Sequence, residues 1–460
     1  MRNLEKTNIQ LTGNITPTII SLSLPLMLNN LIRTLYNLTD GLYVARLSSE
    51  DFAATAFVWP LNFLFISLGM GLGVASTSMV SQALGANQIE RAKKVSQNAL
   101  NLSLILGFVL ALIGYLMAGN FVEWMGASGL FAQKASTYLA INFIGLFFDF
   151  IYFPYQAILN ADGQTKKITL ISSLSSLINL VLDPIFIFDR IGPIPGLGLG
   201  IAGAAWATVL SKIVLVFLGQ KVVKLSTPID LKLLNPTRDW RAYQTLVQIA
   251  VPASLGYGGA ALGFTVMNGL IQSYGTDTLA AYSMGNRITD LMTQPQMGIG
   301  MALTSLVGQN IGAGQYQRAK AIIKKTIELV LLISLFASIL IIVFRDPLIG
   351  IFIKDGSNVT LINHSREYMI YSAFIIFFMG LFSVYNGAFQ GMGKTRYSMI
   401  MAVGRLWVFR LPFIWIFANF TMLESTGIWI AMLLSNALTV TLAAIFYRRI
   451  DWTRLRRLSS

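Results

Sequence analysis

Apolar residues in this chain run in long stretches separated by short polar breaks, and the breaks set the number of elements. Twelve stretches emerge, near 16–45, 52–82, 92–118, 133–159, 167–188, 199–220, 242–273, 278–309, 318–343, 366–391, 395–418 and 426–447. Each is roughly twenty residues or longer, the length a helix needs to cross the hydrocarbon core of a bilayer. Backbone immersed in lipid must satisfy its own hydrogen bonds, so such stretches predict helices. The pattern therefore predicts an all-α membrane protein with twelve transmembrane helices.

Composition agrees with lipid as the main solvent, since 55% of the 460 residues are hydrophobic and 12% charged, against about a quarter charged in soluble domains. A net charge of +14 raises the question of nucleic acid. The basic residues, however, are scattered through the breaks, with no long basic tract or aromatic binding patch, and they set orientation instead. With the two termini and every second break on one side, that side carries 23 of the 34 Lys and Arg, among them Arg91, Lys93, Lys94, Lys166, Lys167, Arg318, Lys320, Arg448 and Arg449. Six lie in the opposite breaks: Arg46, Lys134, Arg190, Arg345, Lys354 and Arg366. The positive-inside rule then puts both termini in the cytoplasm, which an even number of spans requires. Met1 to Thr16 is mixed in charge and lacks a signal-peptide core, so the first helix is expected to be an uncleaved span. There is no cysteine and one histidine, His364, expected in a loop, which leaves little basis for disulfides, thiolate metal sites or Cys and His nucleophiles.

The chain is duplicated. Val80 to Lys93 (VSQALGANQIERAK) matches Val307 to Lys320 (VGQNIGAGQYQRAK) at eight of fourteen positions with an offset of 227. The same offset relates Pro25 to Pro252, and an offset of 230 relates Tyr155–Lys166 to Tyr385–Arg396. Six helices per half is an even number, so both halves enter the membrane the same way round, as parallel pseudo-symmetric repeats. The expected division is an N-terminal lobe over 1–220, a cytoplasmic linker over 221–241 containing Pro228 and Pro236, and a C-terminal lobe with a basic tail over 242–460. Two such bundles facing a central cleft can rock to expose it alternately to either side.

Four acids fall within the predicted spans: Asp40, Asp149, Asp183 and Asp290. A carboxylate at membrane depth costs about 3 kcal/mol or more unless it has a partner, a proton or water. Asp40 follows Tyr36 and Asn37 on one helix face, with Asn30 and Arg33 behind; Asp183 follows Asn179 and Ser176 in the same way. Thr208 reaches a similar depth on the sixth helix, so these groups are expected to line one chamber in the N-terminal half. Two carboxyls sharing a dry chamber cannot both ionise cheaply and are expected to take up protons as a coupled unit. The same oxygens also suit Na⁺, and the sequence does not choose between the two ions. A plainer reading pairs the acids with Arg33, Arg405 or Arg410. Asp290 is expected to pair with Arg287 three residues earlier, whereas Asp149 has no obvious local partner. Pro25 and Pro252 interrupt matching helices, and Pro25 is a candidate hinge for the first.

The paired motifs, with Gln82, Gly85, Ala86, Arg91 and Ala92 answered by Gln309, Gly312, Ala313, Arg318 and Ala319, together with the turn at Leu159–Gly163 and the acids above, resemble the multidrug and toxic compound extrusion (MATE) family, in particular its DinF-like prokaryotic branch. The resemblance spans nearly the whole chain. It implies a non-enzymatic multi-pass transporter of a prokaryotic inner membrane, expelling hydrophobic or cationic small molecules by H⁺- or Na⁺-coupled antiport. No cofactor beyond the coupling ion and no nucleic acid partner is implied, and a monomer in membrane lipid is expected. It further implies roles in cation and drug coupling for Asp40, Asp183, Asn179 and Thr208, with Tyr36 beside them, while Asn30 and Asn37, on the polar face of the first helix, are expected toward the substrate cavity. The repeat positions opposite the two acids are Met267 and about Leu411, and the C-terminal helices that carry acids in other branches have none here, which argues against a C-terminal sodium site.

The competing function is a flippase for a lipid-linked anionic precursor, which needs several arginines to converge from Arg33, Arg287, Arg405 and Arg410. An intramembrane aspartyl protease is disfavoured because no Gly-X-Gly-Asp surrounds any of the four acids. No Gly-X-X-X-X-Gly-Lys loop is present to cradle ATP phosphates.

Overall fold

The computed structural model describes residues 10–233, 235, 239–353 and 358–452. The start of the N-terminal segment, Pro236, Lys354 and the basic tail from residue 453 lie outside them. The first half consists of α1 (Ile15–Ala45), α2 (Ser49–Gly85), α3 (Ile89–Trp124), α4 (Gly129–Ala161), α5 (Thr165–Ile187) and α6 (Gly200–Ser226). A small antiparallel hairpin, β1 (Arg190–Ile191) and β2 (Ile194–Pro195), joins α5 to α6. The second half consists of α7 (Trp240–Gln272), α8 (Thr276–Gly312), α9 (Tyr316–Val343), the short α10 (Arg345–Phe352), α11 (Val359–Gly391), α12 (Thr395–Phe420) and α13 (Glu424–Arg448). Eleven of these helices are long and apolar enough to cross a membrane. The twelfth expected span is α8, whose 37 residues suffice in length while Asn286, Arg287, Asp290, Gln294 and Gln296 lower its hydropathy. Helix α6 continues to Ser226 because nothing interrupts it before Pro228, so the first residues of the expected linker are helical.

The duplication is visible in helix ends. Helices α2 and α8 start and stop at positions 227 apart, and α4 and α11 at positions 230 apart. The repeat diverges at α3, an unbroken helix whose counterpart divides at Phe344 into α9 and α10. Each repeated motif is a helix stop. After α2 the amide of Asn87 bonds the Leu84 carbonyl and that of Gln88 the Ala83 carbonyl, with Asn87 left-handed at φ 58°. Gly314 after α8 repeats this geometry at φ 73°, as do Gly163 at 74° and Gly393 at 71° after α4 and α11. A left-handed residue in this place lets the amides beyond the helix satisfy its last carbonyls, and glycine or asparagine adopts it most easily. His364 lies in the second turn of α11, where Nδ1 meets the Ser425 hydroxyl at 3.0 Å, rather than in a loop.

Among the described residues the halves share a core only at one end. A single apolar cluster joins Leu26, Leu72, Val80 and Leu84 of the first half to Ile299, Leu303, Leu306 and Val307 of the second. Toward the opposite end the clusters separate, one around Val58, Phe143 and Leu146, another around Met267, Tyr282, Tyr368 and Trp429. Recorded hydrogen bonds between the halves follow the same division, running from the helix midpoints, as in Asn30 to the Gln294 carbonyl and Ser254 to the Leu68 carbonyl, to the end that carries the termini. There Gln82 donates to the Gly391 carbonyl at 3.0 Å and Ser78 to the same oxygen at 3.4 Å. Their repeat partners mirror them, with Gln309 donating to the Ala161 carbonyl at 2.5 Å and Ser305 to it at 3.2 Å. Gly85 lies against the backbone of Gln309, and Gly312 against that of Gln82. The molecule is closed at the end bearing the termini.

Candidate functional site

Helices α1, α4, α5 and α6 bring one polar cluster together inside the first half. Asp183 on α5 is fully buried, and neither carboxylate oxygen has a conventional hydrogen-bond donor. It faces the Asp40 carboxyl of α1 and the side chain of Asn179, one turn earlier on its own helix. Oδ1 of Asp40 is likewise buried without a donor. Asn179 is 1% exposed and reaches the Thr208 hydroxyl on α6 at 3.5 Å, and Tyr36 stands beside the same hydroxyl. Asp40, Asp183, Asn179, Thr208 and Tyr36 thus occupy one place, with the spacing of each pair on its helix turning both members to the same side.

A sixth member was not identified from the sequence. Tyr138 of α4 lies within electrostatic reach of both carboxyls and beside Asn142, one turn on. The signal was present in the duplication, because an offset of 230 places Tyr138 opposite Tyr368, which is buried in the second half.

Other expected residues lie elsewhere. Asn37 is exposed on α1. Asn30 ties α1 to α8 by donating to the Gln294 carbonyl at 3.4 Å. Pro25 is buried within an α1 that continues through it, and its carbonyl accepts from Thr169 of α5 at 2.6 Å. Asp290 takes its hydrogen bond from Asn286 at 3.1 Å rather than pairing with Arg287, since the i, i+4 amide reaches the carboxylate directly. Asp149 does have a partner, because Lys212 of α6 meets it at 2.7 Å across the α4–α6 contact, a pairing that helix packing creates and local spacing cannot reveal.

The arginine pairing that would make Asp40 and Asp183 merely structural is not formed, for among the described residues neither acid has a Lys or Arg within 4.0 Å. Two carboxyls facing one another without a fixed cation are satisfied by a shared proton or by a cation between them. Among the described residues no group of three or more His, Cys, Asp and Glu offers a denser metal site. The cluster offers two carboxylates, the Asn179 amide oxygen, which has no other partner, and a hydroxyl, an oxygen set that suits a hard cation better than a soft metal.

A family model described as MatE matches this chain twice, over residues 25–185 and 252–416. The chain is 27% identical to the probable multidrug resistance protein YoeA of Bacillus subtilis over 438 residues, covering 92% of this chain and 91% of that protein. Among solved structures, one described as MATE in the bent conformation superposes with a TM-score of 0.89 at 26% identity, covering 100% of this chain and 99% of the other. Another, described as the outward-facing conformation of a multidrug resistance MATE family transporter, gives 0.89 at 26% identity, covering 97% and 98%.

Proposed function

This chain belongs to the MatE family of membrane transporters, and we propose that it is a secondary active multidrug efflux transporter that exchanges H⁺ or Na⁺ for hydrophobic or cationic organic compounds. It is a transporter and not an enzyme. The observation that carries the coupling assignment is the facing pair in the first half, Asp183 fully buried and Asp40 half-buried, with no fixed cation against either among the described residues. A proton or Na⁺ at this pair neutralises the charge that attracts the organic cation, so the two occupants alternate. Asn179, Thr208, Tyr36 and Tyr138 surround the carboxyls and supply further oxygens for a bound cation.

The lobes are taken as 1–220 and 242–460 about the linker, both termini as cytoplasmic, and the protein as a monomer of the DinF-like branch in a prokaryotic inner membrane. With that orientation the closed end is cytoplasmic and the state is outward-facing. Occupation of Asp40 alters the packing of α1, which bends near Pro25 and reshapes the chamber, the missing backbone donor at proline making that the weak point of the helix. A flippase for an anionic lipid precursor is not favoured, because Arg33 and Arg287 are exposed on separate helices and only Arg405 and Arg410 approach each other.

The test is efflux of a fluorescent organic cation from proteoliposomes under an imposed pH or Na⁺ gradient. One gradient is expected to drive efflux in wild type, and Asp40→Asn or Asp183→Asn to abolish it. Efflux that ignores both gradients, or mutants that match wild type, removes the coupling role from these acids.

A further inference from the structure

The second half buries two arginines with no acid against them. Arg405 is 5% exposed and Arg410 2%, and both belong to the π-helical segment Gly404–Arg410 inside α12. In an α-helix, residues five apart point about 140° away from each other. Hydrogen bonding from i to i+5 winds the chain more slowly and turns the two onto a common side, and such π segments recur at functional sites.

Neither guanidinium is well satisfied. Arg405 touches the Met379 sulfur at 2.7 Å and lies over the rings of Phe382 and Phe264, 4.7 and 5.9 Å from their centres, while its Nε has no partner. Arg410 donates from Nε to the Ser435 hydroxyl at 3.1 Å and from an η nitrogen to the Met267 sulfur at 3.7 Å. Among the described residues no carboxylate oxygen lies within 4.0 Å of either. Asp290 acts electrostatically on Tyr282 and Tyr368, as Arg410 does, but its side chain is exposed and held by Asn286. Arginine keeps its charge at any cellular pH, and a buried charge without a counter-ion is among the costliest arrangements a fold can hold. Sulfur and ring faces offset only part of that cost.

The location sharpens the point. Met267, which Arg410 touches, stands where the first half has Asp40, and Tyr368 stands where it has Tyr138. The same place in the repeat carries opposite charge in the two halves.

We propose that Arg405 and Arg410 form a binding site for an organic anion, an aromatic or similarly apolar molecule bearing a carboxylate. Paired guanidiniums match the two oxygens of a carboxylate in fork geometry, and Phe264, Phe382, Met379 and Met267 accept its apolar body. The transporter thereby handles acidic amphiphiles through its second half, independently of the acids in its first.

The experiment uses the full chain in nanodiscs and isothermal titration with 2-naphthoate, against 2-naphthamide as the neutral isostere. Wild type is expected to bind the carboxylate and not the amide. Arg405→Gln and Arg410→Gln are each expected to weaken naphthoate about tenfold, the effect of one charge-assisted hydrogen-bonded pair, while Asp40→Asn leaves it unchanged. Arg405→Lys keeps the charge and loses the fork, so it serves if Arg405→Gln fails to fold, and it is expected to bind naphthoate more weakly than wild type. Thermal melting adds a second readout: naphthoate raises the melting temperature of wild type and not of Arg405→Gln. Equal binding of acid and amide, no binding by wild type, or unchanged affinity in the folded arginine variants overturns the proposal.

Discussion

Alanine at both Gly85 and Gly312 should open the end of the molecule at which the halves meet. A Cβ on Gly85 would stand 2.7 Å from the carbonyl carbon of Gln309 and 2.8 Å from its Cα, and one on Gly312 would stand at the same distances from Gln82. Carbon atoms rest at about 3.5–4.0 Å, so each contact must widen by roughly 1 Å. The obstacle is backbone, which no rotamer change relieves. Overpacking of this kind costs about 1–3 kcal/mol per site, hence about 4 kcal/mol for the pair. Opposing it, among the inter-half contacts there, are four hydrogen bonds from Ser78, Gln82, Ser305 and Gln309, about 1 kcal/mol each. The strain is comparable to these four bonds, so the closed end loses population to a more open state. Because the chain has no cysteine, spin labels can be placed on Lys94→Cys and Ala321→Cys, exposed positions related by the 227 offset near the closed end. Pulsed-EPR distances in liposomes are expected to lengthen in the double alanine variant. An unchanged distance distribution in a variant that still melts cooperatively would refute the reasoning, since the glycine contact would then not hold the end shut.

Three further outcomes are expected. Lys212→Met leaves Asp149 as an unpaired charge and should destabilise the protein by about 3 kcal/mol, whereas adding Asp149→Asn should restore most of the loss; a melt in which the double variant is as unstable as the single one would make the ion pair irrelevant. Tyr138→Phe removes a hydroxyl from beside Asp40 and Asp183 and should slow gradient-driven efflux more than Tyr368→Phe at the equivalent place in the second half, a ranking that an efflux assay can reverse. Pro25→Ala returns a backbone donor to α1 and should reduce transport without lowering stability, so wild-type turnover in that variant would exclude bending at Pro25 from the mechanism.

The architecture was legible wherever one helix and its copy determined it. The run from Val80 to Lys93 and its echo fix where α2 and α8 end, because the left-handed stop at Asn87 and Gly314 is a local property of the residues. The grouping of Asp40, Asp183, Asn179 and Thr208 followed from helical spacing and depth. Spacing on one helix could not reveal what a second helix contributes. Lys212 meets Asp149 only because α4 packs on α6, Tyr138 joins the acids from a fourth helix, and Asn286 outcompetes Arg287 for Asp290 by geometry that charge alone does not predict. The π segment in α12 was equally hidden, since GRLWVFR reads as ordinary helix and the extra residue per turn becomes evident only in the backbone.

Duplication explains why frame and chemistry differ in how closely they repeat. Closure about a two-fold axis needs each contact twice, so Gln82 and Gln309, Ser78 and Ser305, and Gly85 and Gly312 occur in both halves, and the carbonyls they meet, those of Gly391 and Ala161, are themselves 230 apart. Changing one copy alone would leave the other contact strained, which ties the two together. No such tie binds the interior of one half to that of the other, because the apolar clusters around Phe143 and around Trp429 are separate. Asp40 could therefore face Met267 across the repeat, and two buried arginines could stand in the second half, without disturbing the contacts on which closure depends. The same separation means that substitutions in one interior should change what that half binds while leaving the closed end intact.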